Sequence, residues 1–209
     1  MEQRFAPALR TLQRLFKNAS LALQIPIRFA LIGGLAMSAW GIVRATQDID
    51  LLADSNPSPL SNQALRGRLQ KFLERRGCTV EWRTGETDDP IPLLLCLRVP
   101  CPAQGVAADV LWAHKRWQRE ALLRTVTLKV SRLEVFVLHP EDLMLMKLEA
   151  GGPQDLLDVE GLISNPPAEL NLSRLKRKAL RLRLASVLDE CLNRSRKKLP
   201  STPFRSPRS

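Results

Sequence analysis

Apolar residues recur at helical spacing over about residues 7–22 (Leu9, Leu12, Phe16, Ala19), which predicts an amphipathic opening helix. The apolar run from Ile27 to Ile32 predicts a buried strand that stops at Gly33-Gly34. A short helix is expected over Leu35 to Trp40, ended by Gly41. A second strand is expected from Asp48 to Ala53, then a Ser/Asn/Pro loop from Ser55 to Pro59. Residues 61–76 return to helical spacing (Leu65, Leu69, Phe72, Leu73), with Gly77 placed as a C-terminal stop.

Strand-like stretches follow at about 79–83, 93–98 and 106–111, then a helix at about 113–123. Two short strands are expected within 125–137, joined around Ser131-Arg132. Pro140 stands where a proline best opens a helix, and that helix runs to Ala150. Gly151-Gly152-Pro153 breaks it before another helix at 154–163. Beyond Asn165-Pro166-Pro167, Ser173 is expected to cap a basic helix reaching Asn193, with Leu175, Ala179 and Leu182 on one side. Strands interleaved with helices indicate an α/β or α+β sheet domain, not a bundle. The expected organisation is a main domain over 1–165, a basic helical appendage over 166–194 and a disordered tail over 195–209.

Charge sharpens that division. The chain of 209 residues carries a formal charge of +11, but from Arg174 to the end there are 12 basic residues against the acids Asp189 and Glu190. The main domain is therefore nearly neutral, and the basic segment is either a solvated face or a nucleic-acid contact. Aromatic residues make up 5% and tyrosine is absent, which argues against recognition of single strands by base stacking. The four cysteines, Cys78, Cys96, Cys101 and Cys191, lack zinc-finger spacing and read as reduced thiols. No stretch has the apolar length of a membrane span and Met1-Glu2-Gln3-Arg4 opens no signal pattern, so a cytoplasmic protein is expected.

The chemistry concentrates between Leu31 and Leu52, LIGGLAMSAWGIVRATQDIDLL. Gly33-Gly34 leads from a strand into a helix, where free backbone N–H groups and close approach suit a phosphate; the pair also serves as an ordinary turn. On a strand, Asp48 and Asp50 share one face while Ile49 points to the core. Two carboxylates side by side repel, so they call for a base such as Arg44 or for a cation. Oxygen ligands of this kind suit Mg²⁺. Asp109 lies in the otherwise apolar Val106-Ala-Ala-Asp-Val-Leu111, where an unpaired charge is costly. It either satisfies a buried arginine or, if its strand neighbours that of Asp50, completes a cluster able to hold two metal ions.

Taken together, Gly33-Gly34 and Arg44-Ala-Thr46-Gln-Asp48-Ile-Asp50 resemble the signature of polymerase-beta-like nucleotidyltransferases. The Arg-x-Thr before Asp-x-Asp is similar to the AbiEii-type toxin family and related nucleotidyltransferases. A second match is His139-Pro-Glu-Asp-Leu-Met-Leu-Met-Lys147-Leu-Glu-Ala150 with Asp155-Leu-Leu-Asp158. The resemblance spans about 28–163 and implies a polymerase-beta-like fold, a mixed sheet flanked by helices, here with a C-terminal basic helical extension.

The resemblance further implies transfer of a nucleoside monophosphate from an NTP to a macromolecular hydroxyl, with two Mg²⁺ ions on Asp48, Asp50 and Asp109. Gly33 and Gly34 would cradle phosphates, Arg44 and Thr46 would position the loop or a phosphate, and Lys147 would approach the triphosphate or stand on the surface. An RNA such as tRNA is favoured over a protein as acceptor, and an antitoxin protein is the partner implied by the toxin likeness. Related chains usually carry Gly-Arg-Pro-Lys-Asp where this one has Gly151-Gly152-Pro153-Gln154-Asp155. Loss of both basic side chains leaves open an alternative, a catalytically weakened fold that binds nucleotide, RNA or a partner protein.

Overall fold

The computed structural model describes residues 5–55, 63–85, 93–100, 105–130 and 132–198. Of the disordered tail expected over 195–209, residues 195–198 are instead helical, and the rest lies outside these residues, as do Cys101, Ser131 and most of the Ser55 to Pro59 loop. The described residues form one seven-stranded mixed sheet flanked by helices. In chain order the elements are α1 (Ala6–Leu23), β1 (Arg28–Leu31), α2 (Gly33–Ala39), β2 (Ile49–Asp54), α3 (Gln63–Glu74), β3 (Thr79–Arg83), β4 (Leu94–Val99) and β5 (Val106–Trp112). They continue with α4 (Arg116–Leu122), β6 (Val126–Val130), β7 (Leu133–Val137), α5 (Pro140–Ala150), α6 (Pro153–Ser164), α7 (Leu172–Arg181) and α8 (Ala185–Lys198).

The strand order is β3-β4-β5-β2-β1-β7-β6. β2 runs antiparallel to β1 and parallel to β5, while β1 runs parallel to β7. Alternation along each strand divides the side chains between two faces. On one face Leu31 and Leu51 meet Leu9 and Leu12 of α1, and the rings of Phe16 and Phe29 lie 5.2 Å apart. The opposite face carries Asp50, Leu52, Asp109 and Leu111 in register, and α4 and α5 border it. Both faces carry buried apolar residues, and on the second the acids stand beside the buried Leu52 and Leu111.

Helix α5 is the most enclosed of the helices around that second face. Eight of its eleven residues are buried, including Glu141, Asp142 and Lys147. It begins at Pro140, holds two acids in its first turn, where the helix dipole favours them, and ends at Gly151 with φ 67°. Among the described residues no helix is long and apolar enough to cross a membrane.

The C-terminal segment departs from the expected single basic helix. It is two helices, α7 and α8, separated at Leu182–Leu184, with Arg183 at φ 60°. The cap is Asn171, whose side chain accepts a hydrogen bond from the Arg174 N–H at 2.8 Å; Ser173 lies inside the helix. The hydrophobic spacing continues across the break, which is why periodicity alone merges the two. Leu175, Ala179, Leu188, Cys191 and Leu192 are buried, and α7 packs on α5 while α8 packs on α6.

Polar contacts reinforce this packing. Asp142, 1% exposed, accepts from Arg124 at 3.0 Å and 3.1 Å and from Lys178 of α7 at 2.6 Å. Glu141 contacts His139 and accepts from the Asn171 N–H at 3.0 Å. Breaking a buried ion pair is costly because a charge is stranded, but Arg124 and Lys178 are partly exposed and can regain water. Asp142→Ala is therefore expected to destabilise the fold by about 1–3 kcal/mol in urea denaturation. The same variant is expected to speed amide exchange in α7 more than in β2 or β5.

Candidate active site

The three aspartates converge through one sheet register. Parallel pairing of β2 with β5 sets Asp50 directly opposite Asp109. Asp48 lies one residue ahead of the strand, which begins at Ile49 and not at Asp48 as alternation suggested. It reaches the cluster from a bend braced by the Thr46 hydroxyl, which lies 3.2 Å from the Asp48 carboxylate and 3.3 Å from its carbonyl oxygen. One oxygen from each of Asp48, Asp50 and Asp109 lies within 4.8 Å of the other two.

Asp50 bears the strain of this arrangement. Burial, then the charges of Asp48 and Asp109, push its carboxyl up to about 6, against the lowering effects of the Gly34 N–H and Lys147. The glycine pair is shaped around it. Gly33 has φ +61°, and a Cβ there would fall 1.8 Å from Asp50 Oδ2. A Cβ on Gly34 would fall 2.8 Å from Thr46 Cβ. Both glycines are therefore required by close packing against the acid loop.

The donor set fits a hard divalent cation. It consists of carboxylates alone, partly buried, mutually repelling, and without an arginine or lysine among the three. A cation placed among them would relieve the repulsion that raises Asp50.

Beside the carboxylates opens a cleft of about 330 Å³, lined by Gly33, Asp50, Gln118, Met146, Lys147 and Asp155 among others. Lys147 reaches it from the last turn of α5, with its side chain 6% exposed. Its ammonium lies 3.0 Å from Asp155 and 2.6 Å from Asp158. Asp158, 3% exposed, also accepts from Arg44 at 2.8 Å and from Gln154 at 3.1 Å. Arg44 is thus drawn to α6, and Thr46 to Asp48. The neutral turn at Gly152 and Gln154 has its own geometry: Gln154 serves Asp158, and a Cβ on Gly152 would fall 2.9 Å from the Asp155 carboxylate.

Two neighbours escaped sequence reasoning. Cys96 of β4 pairs in register with Asp109, and Glu81 of β3 pairs with Cys96, extending the polar row across the sheet. Burial, the hydrogen bond to Asp109 and its charge push the Cys96 thiol up to about 11. Strand alternation gives the face of each residue but not its cross-strand partner, which is a matter of register. Asp155 and Asp158 were visible as a motif, whereas their ion pairs with Lys147 and Arg44 were not.

The mixed sheet thus brings acids of β2, of β5 and of the bend before β2 beside a lysine-bearing cleft. Residues 10–179 match a family described as nucleotidyltransferase of unknown function (DUF6036), and the chain belongs to it. Among solved structures, an antigenic nucleotidyltransferase-like protein from Paracoccidioides brasiliensis is 20% identical, with a TM-score of 0.45 over 85% of this chain and 91% of that one. The antibiotic-resistance factor ANT(2'')-Ia is 16% identical, with a TM-score of 0.45 over 86% of this chain and 95% of that one. No curated protein matches.

The raised Asp50 carboxyl has a defined consequence for stability. The unfolded side chain ionises near 3.8 and the folded one near 6, so the metal-free fold loses stability as pH rises between these values and carries the full penalty above them. That penalty is roughly 3 kcal/mol at most. With chelator present, Asp50→Asn is expected to raise the Tm at pH 7.5 and to change it little at pH 4, as read by scanning calorimetry. Gly33→Ala is expected to weaken Mn²⁺ binding at least tenfold by displacing the Asp50 carboxylate, as read by titration calorimetry.

Proposed function

We propose that this chain is a Mg²⁺-dependent nucleotidyltransferase that moves a nucleoside monophosphate from an NTP to a hydroxyl of a macromolecule, with RNA favoured over protein. The observation that carries the reading is the convergence of Asp48, Asp50 and Asp109 at the edge of the Lys147 cleft. On this reading Asp48, Asp50 and Asp109 would hold two Mg²⁺ ions, whose charge would neutralise the triphosphate and make the acceptor hydroxyl more acidic. The acceptor oxygen attacks the α-phosphorus, its proton passes to Asp109, and pyrophosphate leaves. Gly33 and Gly34 let the triphosphate come close to the backbone, Arg44 and Thr46 hold the loop, and Lys147 meets the phosphates. Such chemistry asks for positioning and charge, which this site's acids, glycines and lysine supply without a covalent nucleophile.

The acceptor preference rests on surface charge. Arg174, Lys178 and Arg194 are engaged in ion pairs with Glu141, Asp142, Glu160 and Glu190. Lys176, Arg177, Arg181 and Arg183 stand exposed on α7 and its end. Exposed cations of this density favour a phosphate backbone. The likeness to AbiEii-type toxins extends the proposal to a toxin with a tRNA acceptor and a neutralising antitoxin protein.

A second reading is a binding module with weakened catalysis. It is favoured by one feature: Lys147 and Arg44 already face Asp155 and Asp158, and the turn at Gly152 and Gln154 adds no charge.

Incubation with Mg²⁺ and each labelled NTP is expected to label total tRNA, and Asp48→Ala is expected to abolish the label. Absence of label with all four NTPs across RNA and protein pools selects the binding module. Replacing Lys176, Arg177, Arg181 and Arg183 together with glutamine is expected to weaken tRNA binding and to lower the salt slope by about one per lost phosphate contact. These side chains are exposed, so the melting temperature is expected to stay within a few degrees of wild type. An unchanged salt slope would assign the segment to solvation alone.

A further inference from the structure

Lys147 is claimed by two carboxylates that differ in a way the sequence motif conceals. Asp158 is 3% exposed and fixed by Arg44, Gln154 and Lys147 together. Asp155 is 31% exposed, lines the cleft, and holds Lys147 at 3.0 Å. Asp155 lies in the first turn of α6 and Asp158 three residues further on, on the same face of the helix. The ammonium has three donors, and one of them is directed at a group on the cleft wall that solvent can replace.

We infer that Asp155 is an internal competitor for the triphosphate: it occupies Lys147 in the empty cleft and must release the ammonium when phosphate oxygens enter. Asp158 has the opposite role and keeps Lys147 and Arg44 in place throughout. Burial decides which acid gives way. Withdrawing Asp158 would strand a buried charge and two cations, whereas Asp155 can turn outward into water. Gly152 leaves space for the Asp155 carboxylate against the backbone, since a Cβ there would lie 2.9 Å from its Oδ2. The inference rests on the triphosphate reading of the cleft, and it assigns opposite signs to two acids of one motif.

The test uses the full chain and Mg²⁺-tripolyphosphate as the probe, with Kd read by titration calorimetry. Asp155→Asn is expected to tighten binding roughly two- to fivefold, the range for a partly exposed ion pair no longer broken on binding. Asp158→Asn is expected to weaken binding and lower the Tm. Glu149→Gln is the charge control, because Glu149 also lines the cleft but pairs with Lys115 at 2.8 Å. The gain from Asp155→Asn is expected to vanish in a Lys147→Gln background.

Equal tightening by Glu149→Gln would reduce the effect to net charge and overturn the inference. Unchanged or weaker binding by Asp155→Asn would overturn it too, as would failure of both wild type and variant to bind. Binding is separate from transfer. Tightening in a protein that labels no acceptor would sustain the inference and reject the transferase reading. Labelling without tightening would do the reverse.

Discussion

Parallel pairing of β2 with β5 is the constraint on which the site depends. It sets Asp50 against Asp109 and leaves Asp48 at the strand's leading end, so three like charges share one small volume. The Cys96 thiol bonds to Asp109, but no cation stands among the three carboxylates in the described residues. The resulting pressure is visible in Asp50, whose carboxyl is pushed up to about 6 chiefly by its burial and then by its neighbours. A fold that holds acids this way gives up stability for a site that attracts cations.

The surrounding structure keeps that pressure in place. The face of the sheet opposite the acids is buried under α1 and α3, which fixes the strands rigidly. Gly33 and Gly34 remove two Cβ atoms where the acid loop must pass, and Thr46 ties Asp48 to its bend. Cations are kept at a second layer. Lys147 and Arg44 sit on Asp155 and Asp158, and of the two it is Lys147 that lowers Asp50, against burial and its acidic neighbours. The outer helices repeat the scheme with Glu141 and Asp142 holding α7.

Basicity in the C-terminal segment therefore has two physical destinations. Arg174 and Lys178 cross to acids of α5 and Arg194 to Glu160 of α6, so their charge joins helix to helix. Lys176, Arg177, Arg181 and Arg183 face solvent. Composition counts them alike, because a formal charge carries no information on which partner is within reach.

Local pattern alone determined most elements of this chain. Period-2 and period-3.6 spacing are properties of adjacent residues, and Pro140 and Gly151 mark α5 by their own backbone limits. Repulsion within Asp48-Ile-Asp50 already called for a cation or a base, and the motif around it already named the chemistry. The break between α7 and α8, the cap at Asn171 and the start of β2 after Asp48 lay beyond local pattern. So did the choice of cation for each acid: whether Asp109 met an arginine or two aspartates, and whether Lys147 was free or paired. Those outcomes depend on strand order and register, which bring together residues as distant in sequence as Arg44 and Asp158, and only the tertiary structure sets them.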